Sequence, residues 1–153
     1  MLPHLKILFL CTGNSCRSQM AEAWARHLHG ARLEVHSAGT RPGALDPRAV
    51  RVMREVGVDM SGHRAKSIDD VAGVNFDYVI TVCDSARESC PVFPGGARHL
   101  HAGFEDPPRL AAGASGEEEA LASYRRVRDE IEKLVRRLPE RLEGQVPWGE
   151  YHS

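Results

Sequence analysis

The sequence predicts an α/β fold in which a parallel sheet is flanked by helices. Three observations carry this expectation. Leu5–Leu10 is a run of apolar residues, broken only by Lys6, that passes through a glycine-containing turn directly into a helical pattern. Strand-like and helix-like segments then alternate along the chain, which implies parallel strands joined by right-handed crossovers. No internal repeat or interdomain linker interrupts them. With 153 residues, 42% of them hydrophobic, the chain can bury one core of ordinary domain size, so a single domain over residues 1–153 is expected.

Each element has its own signal. Leu5–Leu10 lacks polar alternation, as befits a central strand covered on both faces. Met20, Trp24 and Leu28, with Ala21 and Ala25, share one helical face, and Gly30 supplies a stop. Leu33–Ser37 reads as a second strand that ends in Ala38-Gly39. Asp46-Pro47 has the form of an N-cap followed by proline at the first helical position; Val50 and Met53 give that helix an apolar face, and Gly57 closes it. Phe76–Val82 is aromatic and β-branched, the best strand of the middle region, and Arg98–His101 is a short fourth one. From Glu117 to Leu138, apolar residues recur at Leu121, Tyr124, Val127, Ile131, Leu134, Val135 and Leu138, with glutamates in the first turn and arginines in the last. Pro139 should end this helix. Residues 139–153 carry no periodicity and are expected to be a tail outside a core of about residues 5–138.

Twenty lysines and arginines against 21 aspartates and glutamates leave a net charge of -1, which gives no general attraction to nucleic acid or an anionic membrane. No run approaches the roughly 20 apolar residues of a spanning helix, and the apolar start has neither a basic leader nor a cleavage site. A cytoplasmic monomer is expected. Four cysteines, at 11, 16, 83 and 90, are too few for a disulfide scaffold in a chain of this length. Their C-x4-C and C-x6-C spacings differ from the tight pairs of structural zinc sites, so no metal is expected, although a noncatalytic zinc or redox-sensing module stays an alternative. The eight histidines form no i, i+4 pair with a matching third ligand, and His63 and His99 have no assigned role.

The chemistry concentrates at Cys11-Thr12-Gly13-Asn14-Ser15-Cys16-Arg17-Ser18. Between a strand and a helix, backbone N–H groups can converge on one anion while the helix dipole adds partial positive charge. Gly13 and Asn14 tolerate the left-handed backbone that such a loop requires. Arg17 presents a planar fork suited to two oxygens of a phosphate-like group, and the Ser18 hydroxyl can hydrogen-bond a thiolate. In that field Cys11 is expected to ionise readily, with a pKa of about 3.5–7.5. Cys16 has a packing role, or could form a protective disulfide with Cys11. Since ligands of parallel sheets bind beyond the carboxyl ends of the strands, Cys11–Ser18, Cys83–Cys90 and Gly103–Pro108, each following a strand, should meet at one edge.

The C-x5-R-S motif, followed by Met20-Ala21-Glu22-Ala23 and accompanied by Ser37-Ala38-Gly39-Thr40 and the late Asp106-Pro107, resembles the low-molecular-weight protein tyrosine phosphatase superfamily over roughly residues 5–138. The resemblance implies a three-layer fold with a four-stranded parallel sheet. It also implies oxyanion binding by Thr12, Gly13, Asn14, Ser15, Cys16 and Arg17, and a general acid at Asp106 that protonates the departing oxygen. Tyrosine phosphatases usually carry an aromatic residue where Pro108 stands, which argues against a dedicated phosphotyrosine pocket.

Within that superfamily, Val82-Cys83-Asp84 through Glu88-Ser89-Cys90-Pro91 is similar to the thioredoxin-coupled arsenate reductases. The similarity implies that Cys11 attacks arsenate, Cys83 attacks the resulting adduct and releases arsenite, and Cys90 resolves the Cys11–Cys83 disulfide. Thioredoxin then restores the thiols, with no bound cofactor. Two-electron reduction of arsenic(V) fits a thiol pair becoming a disulfide, whereas the alternative, a small phosphatase using Cys11, Arg17 and Asp106, needs no further thiol. Some relatives bind potassium through groups that align with Asn14, Glu22 and Ser37. Here Arg64 and Lys66 stand in the adjoining segment, and one of them is expected to replace the ion.

Overall fold

The protein is described by a computed structural model for residues 4–84, 86, 90, 93 and 96–148. The chain runs β1 (Leu5–Cys11), α1 (Arg17–His29), β2 (Leu33–Gly39), α2 (Pro47–Glu55), a 3-10 turn (Ile68–Val71), β3 (Tyr78–Thr81), β4 (Arg98–His101), α3 (Pro107–Ala112), α4 (Glu117–Arg136) and α5 (Leu138–Leu142). The four strands form one parallel sheet in the order β2-β1-β3-β4. Leaving β1, the chain goes to β2 on one side and comes back to β3 on the other. The carboxyl ends of β1 and β3 therefore flank the point where the winding reverses, where such sheets open a crevice.

β1 is central, and Ile7, Leu8, Phe9 and Leu10 are fully buried, which is why these four are all apolar and the run's one charged residue, Lys6, stands before them. Helix α1 buries Met20, Ala21, Trp24 and Ala25 and packs against β1, β2 and α4. The Trp24 indole donates to the Arg128 carbonyl at 3.2 Å. Helix α4 buries the predicted stripe from Leu121 to Val135. It also carries the buried Arg128, whose guanidinium reaches the Val52 carbonyl at 2.9 Å and Glu55 at 3.1 Å, tying α2 to α4. Asp46 caps α2 as expected, accepting from the Arg48 N–H at 2.9 Å.

Several boundaries differ from expectation. β2 runs on through Ala38 to Gly39. β3 begins only at Tyr78, because the Asp77 carboxylate turns aside to accept the Lys6 N–H at 2.8 Å. The largest difference is at the carboxyl side: α4 ends at Arg136, and Pro139 sits in the first turn of a separate helix, α5. A proline that breaks one helix is well suited to open the next, since its missing N–H is unpaired there anyway. The packed core also extends past residue 138, because Leu142 and Trp148 lie against it and the Trp148 indole donates to the His101 carbonyl at 2.7 Å.

Candidate active site

Residues 12–16 join β1 to α1 as a loop whose carbonyls are tethered outward. The Cys11, Thr12, Gly13 and Ser15 carbonyls accept from the N–H groups of Thr40, Arg41, Gly43 and Asp46 at 2.8–3.1 Å. A planar trans peptide directs the following N–H opposite its carbonyl, so this strapping turns donors toward the concave side. The Asn14 N–H reaches the Cys11 sulfur. Asn14 takes the left-handed conformation, φ 49°, as its residue type allows. Gly39 makes the close approach possible: a β-carbon there would lie 2.5 Å from the Thr12 carbonyl oxygen and 3.0 Å from the Asn14 nitrogen.

A buried polar layer holds the loop from below. Asn14 donates to Ser18 Oγ at 2.8 Å and accepts from the Lys66 N–H at 2.8 Å. Gln19 donates to Asn14 Oδ1 at 3.0 Å and to the Arg64 carbonyl at 2.7 Å. The His63 ring meets Gln19 Oε1 at 2.9 Å, and burial lowers its pKa. Beside this layer Glu22, 3% exposed, accepts from Ser37 Oγ and pairs with Arg26 at 2.9 Å and the Lys66 ammonium at 3.5 Å. The same ammonium reaches Ser37 Oγ at 3.3 Å and the Arg64 carbonyl at 3.2 Å. Of the two candidate cations it is therefore Lys66 that enters this cluster. The Arg64 side chain instead points to the surface, 3.8 Å from Asp70.

The described start of the Cys83–Cys90 segment, Cys83 and Asp84, meets the 12–18 loop and the 103–108 segment at one edge. Beyond the β1–β3 ladder, Val82 N–H donates to the Leu10 carbonyl at 2.9 Å, which brings Cys83 alongside Thr12. Cys83 Sγ lies 3.4 Å from Thr12 Oγ1 and is hydrogen-bonded to Cys11. The β3–β4 ladder likewise continues to Phe104 N–H, 3.3 Å from the Val82 carbonyl. Arg17 spans the gap, donating to the Phe104 carbonyl at 2.8 Å and approaching Asp106 Oδ1 at 3.6 Å. A cleft of about 690 Å³ opens above, lined by Thr12, Arg17, Cys83, Asp84, Glu105 and Asp106 among others. Cys16, expected to pack, is buried in the core with its thiol pKa raised well above the ordinary value by that burial. Cys90 stands apart, its sulfur 3.4 Å from Nδ1 of His99. Residues 85 and 87–89, between the two thiols, lie outside the described residues.

The electrostatics tie Cys11 to Cys83. Cys11 does not ionise alone: in its pair with Cys83 its pKa is raised well above the ordinary thiol value, first by the hydrogen bond with Cys83 and then by burial, against the lowering effect of Ser18. Cys83 is the partner pulled down, to about 5, first by the hydrogen bond from Cys11 and further by Thr12, the Ala86 N–H and the Arg17 charge. Two thiols in contact share one negative charge, because a second would repel the first.

A strand–loop–helix oxyanion cradle with a thiol at its base, an arginine at its rim and an aspartate facing it across the cleft defines a class of phosphate-loop enzymes. The chain belongs to the low molecular weight phosphotyrosine protein phosphatase family, which matches residues 6–147. Within this family it is 46% identical over 134 residues to the arsenate reductase of Bacillus subtilis strain 168, covering 88% of this chain and 94% of that one. Among solved structures, an arsenate reductase in the phosphate binding state is 30% identical with a TM-score of 0.68, covering 90% of this chain and 98% of that one. A Corynebacterium glutamicum thioredoxin-dependent arsenate reductase is 29% identical with a TM-score of 0.69, covering 94% and 64%.

Several contributors escaped the sequence reading. Gly39 was visible only as the end of a strand; its need to be glycine depends on a contact with residues 12 and 14. Gln19 shows only as the polar neighbour of an apolar helix face, and the pairing of His101 Nε2 with Asp84 at 3.1 Å joins residues that no spacing links.

Proposed function

We propose that this protein is an arsenate reductase, a cytoplasmic enzyme of one catalytic domain that reduces arsenate to arsenite and is re-reduced by thioredoxin. The observation that carries the reading is a second thiol, Cys83, held at the mouth of the oxyanion loop 3.4 Å from Thr12 Oγ1 and interacting with Cys11. Ester hydrolysis needs one thiol there; two-electron reduction needs a second in reach.

Arsenate binds to the loop N–H groups and the Arg17 fork. The Cys11 proton passes along the hydrogen bond to Cys83, and the Cys11 thiolate attacks arsenic, displacing an oxygen that Asp106 protonates as it leaves as water. Cys83 gives that proton up to solvent, its pKa being low, and as the thiolate attacks Cys11 Sγ. The S–S bond forms as the S–As bond breaks, and its electron pair stays on arsenic, which leaves as arsenite. Cys90 then attacks Cys83 and expels the Cys11 thiolate, so that one disulfide is exchanged for another. The dithiol of thioredoxin reduces the Cys83–Cys90 bond. The same loop, Arg17 and Asp106 can support residual hydrolysis of aryl phosphates, in which water completes the reaction.

The test is arsenite formation with thioredoxin, thioredoxin reductase and NADPH. The wild type should turn over repeatedly. Cys83→Ser should release no arsenite yet keep aryl phosphate hydrolysis, and Cys90→Ser should release about one arsenite per enzyme and stall as a Cys11–Cys83 disulfide. Multiple turnovers by Cys90→Ser with thioredoxin as sole reductant would refute the relay.

A further inference from the structure

Cys90 is the thiol with the least help from the oxyanion loop. Its partial burial pushes its pKa above the ordinary value, so near neutral pH it is almost wholly the unreactive thiol, whereas exchange requires the thiolate. Cys11 and Cys83 solve this problem by pairing with each other. The structure places a different group at Cys90: Nδ1 of His99, 3.4 Å from the sulfur.

We propose that His99 is the general base of the relay's last exchange, taking the Cys90 proton so that the thiolate can attack Cys83. This rests on the three-thiol reading above. His99 sits on the edge strand β4, opposite Val79 of β3. A train of rings orients it: Phe93 packs on it at 6.0 Å, and Phe76 on Phe93 at 6.1 Å, both phenylalanines being buried. The His99 ring itself is exposed, so a proton accepted at Nδ1 can pass to water from Nε2. Among the described residues, the titratable groups on its side are Cys90 and, two residues along the same side of β4, His101, which is held by Thr81 Oγ1 at 2.7 Å and by Asp84 at 3.1 Å.

In the step, with Nδ1 unprotonated, the Cys90 S–H proton moves to Nδ1. The thiolate forms a bond to Cys83 Sγ, and the Cys11–Cys83 bond breaks with its electron pair on Cys11, whose thiolate is restored. No net electrons are gained or lost; the oxidising equivalent moves from Cys11–Cys83 to Cys83–Cys90.

The experiment follows Cys83–Cys90 formation in a single turnover, by acid quench and disulfide mapping, for wild type and for His99→Gln and His99→Ala. His99 is exposed, so both variants should fold. Arsenite release should be unchanged, while the exchange slows by about 100-fold near neutral pH, the lower range for a positioned base. The lost rate should return at alkaline pH, and free imidazole should restore part of it in His99→Ala. In parallel, pH-dependent alkylation of Cys90, read by peptide mass spectrometry on the intact protein without arsenate, should shift to higher pH in both variants. Unchanged exchange rate and unchanged alkylation profile would overturn the proposal. A shifted alkylation profile with no Cys83–Cys90 disulfide in any protein, wild type included, would show the pair to be real but the relay wrong.

Discussion

Replacing Lys66 by methionine keeps the aliphatic stem and removes the ammonium from the cluster it shares with Glu22, Ser37 and the Arg64 carbonyl. At 3.5 Å from Glu22, a pair in surroundings of effective dielectric ~20 attracts with about 5 kcal/mol before desolvation is subtracted. Glu22 is only 3% exposed, and removing one partner of a buried pair costs about 3–5 kcal/mol. Arg26 at 2.9 Å and Ser37 remain on Glu22, so the loss should fall below that range, at about 2–3 kcal/mol, or about 5–10 °C in Tm for a chain of this size. What is left is a gap edged by a carboxylate, a hydroxyl and a carbonyl, all hard oxygen donors of the kind an alkali cation accepts. Differential scanning calorimetry in potassium chloride against choline chloride should therefore show no difference for the wild type and a potassium-specific rise in Tm for Lys66→Met. The reasoning fails if the wild type itself gains stability or activity specifically from potassium. It fails equally if Lys66→Met loses under about 0.5 kcal/mol, as an exposed pair would.

Three further outcomes follow from the geometry. Gly39→Ala puts a methyl 2.5 Å from the Thr12 carbonyl, so the loop must shift; phosphate affinity should fall by at least about tenfold with a stability loss of about 1–3 kcal/mol, and isothermal titration at wild-type affinity would contradict this. Asp106→Asn should slow hydrolysis of aryl phosphates with poor leaving groups far more than of those with good ones, and equal loss on both would remove the acid role. Since the Cys83 pKa is lowered to about 5, its thiolate persists through the neutral range and is lost only as pH falls through that value. Alkylation mapped by mass spectrometry should label Cys83 ahead of Cys11 with a midpoint near pH 5; the reverse order would place the shared charge on the other sulfur.

What the sequence made legible was whatever depends on neighbours along the chain. The apolar Leu5–Leu10 run, the glycine and asparagine of the loop, Arg17 at its offset and the Asp46-Pro47 cap each fix a local conformation with residues a few positions away. Parallel connectivity then suffices to bring the segments after β1, β3 and β4 to one edge. What depends on contacts between distant segments was hidden. The charge in the cradle is shared between Cys11 and Cys83, a thiol 72 positions away. Similarly, Lys66 rather than Arg64 meets Glu22 because the backbone of the 63–66 segment is pinned by Gln19 and Asn14, which decides which side chain turns inward. Pro139 read correctly as a stop but not as the start of α5, since both roles follow from the same missing N–H.

The segment after α4 has a consequence for solubility. β4 is an edge strand of four residues, and an open edge offers unpaired backbone groups to any second strand that drifts alongside. Trp148 occupies the His101 carbonyl at the end of that edge, and the Arg141 guanidinium holds the approach by bonding the Pro147 carbonyl at 2.5 Å. Helix α5 and the residues after it thus act as a guard rail against edge-to-edge association, and their removal should show first as turbidity on storage rather than as lost catalysis.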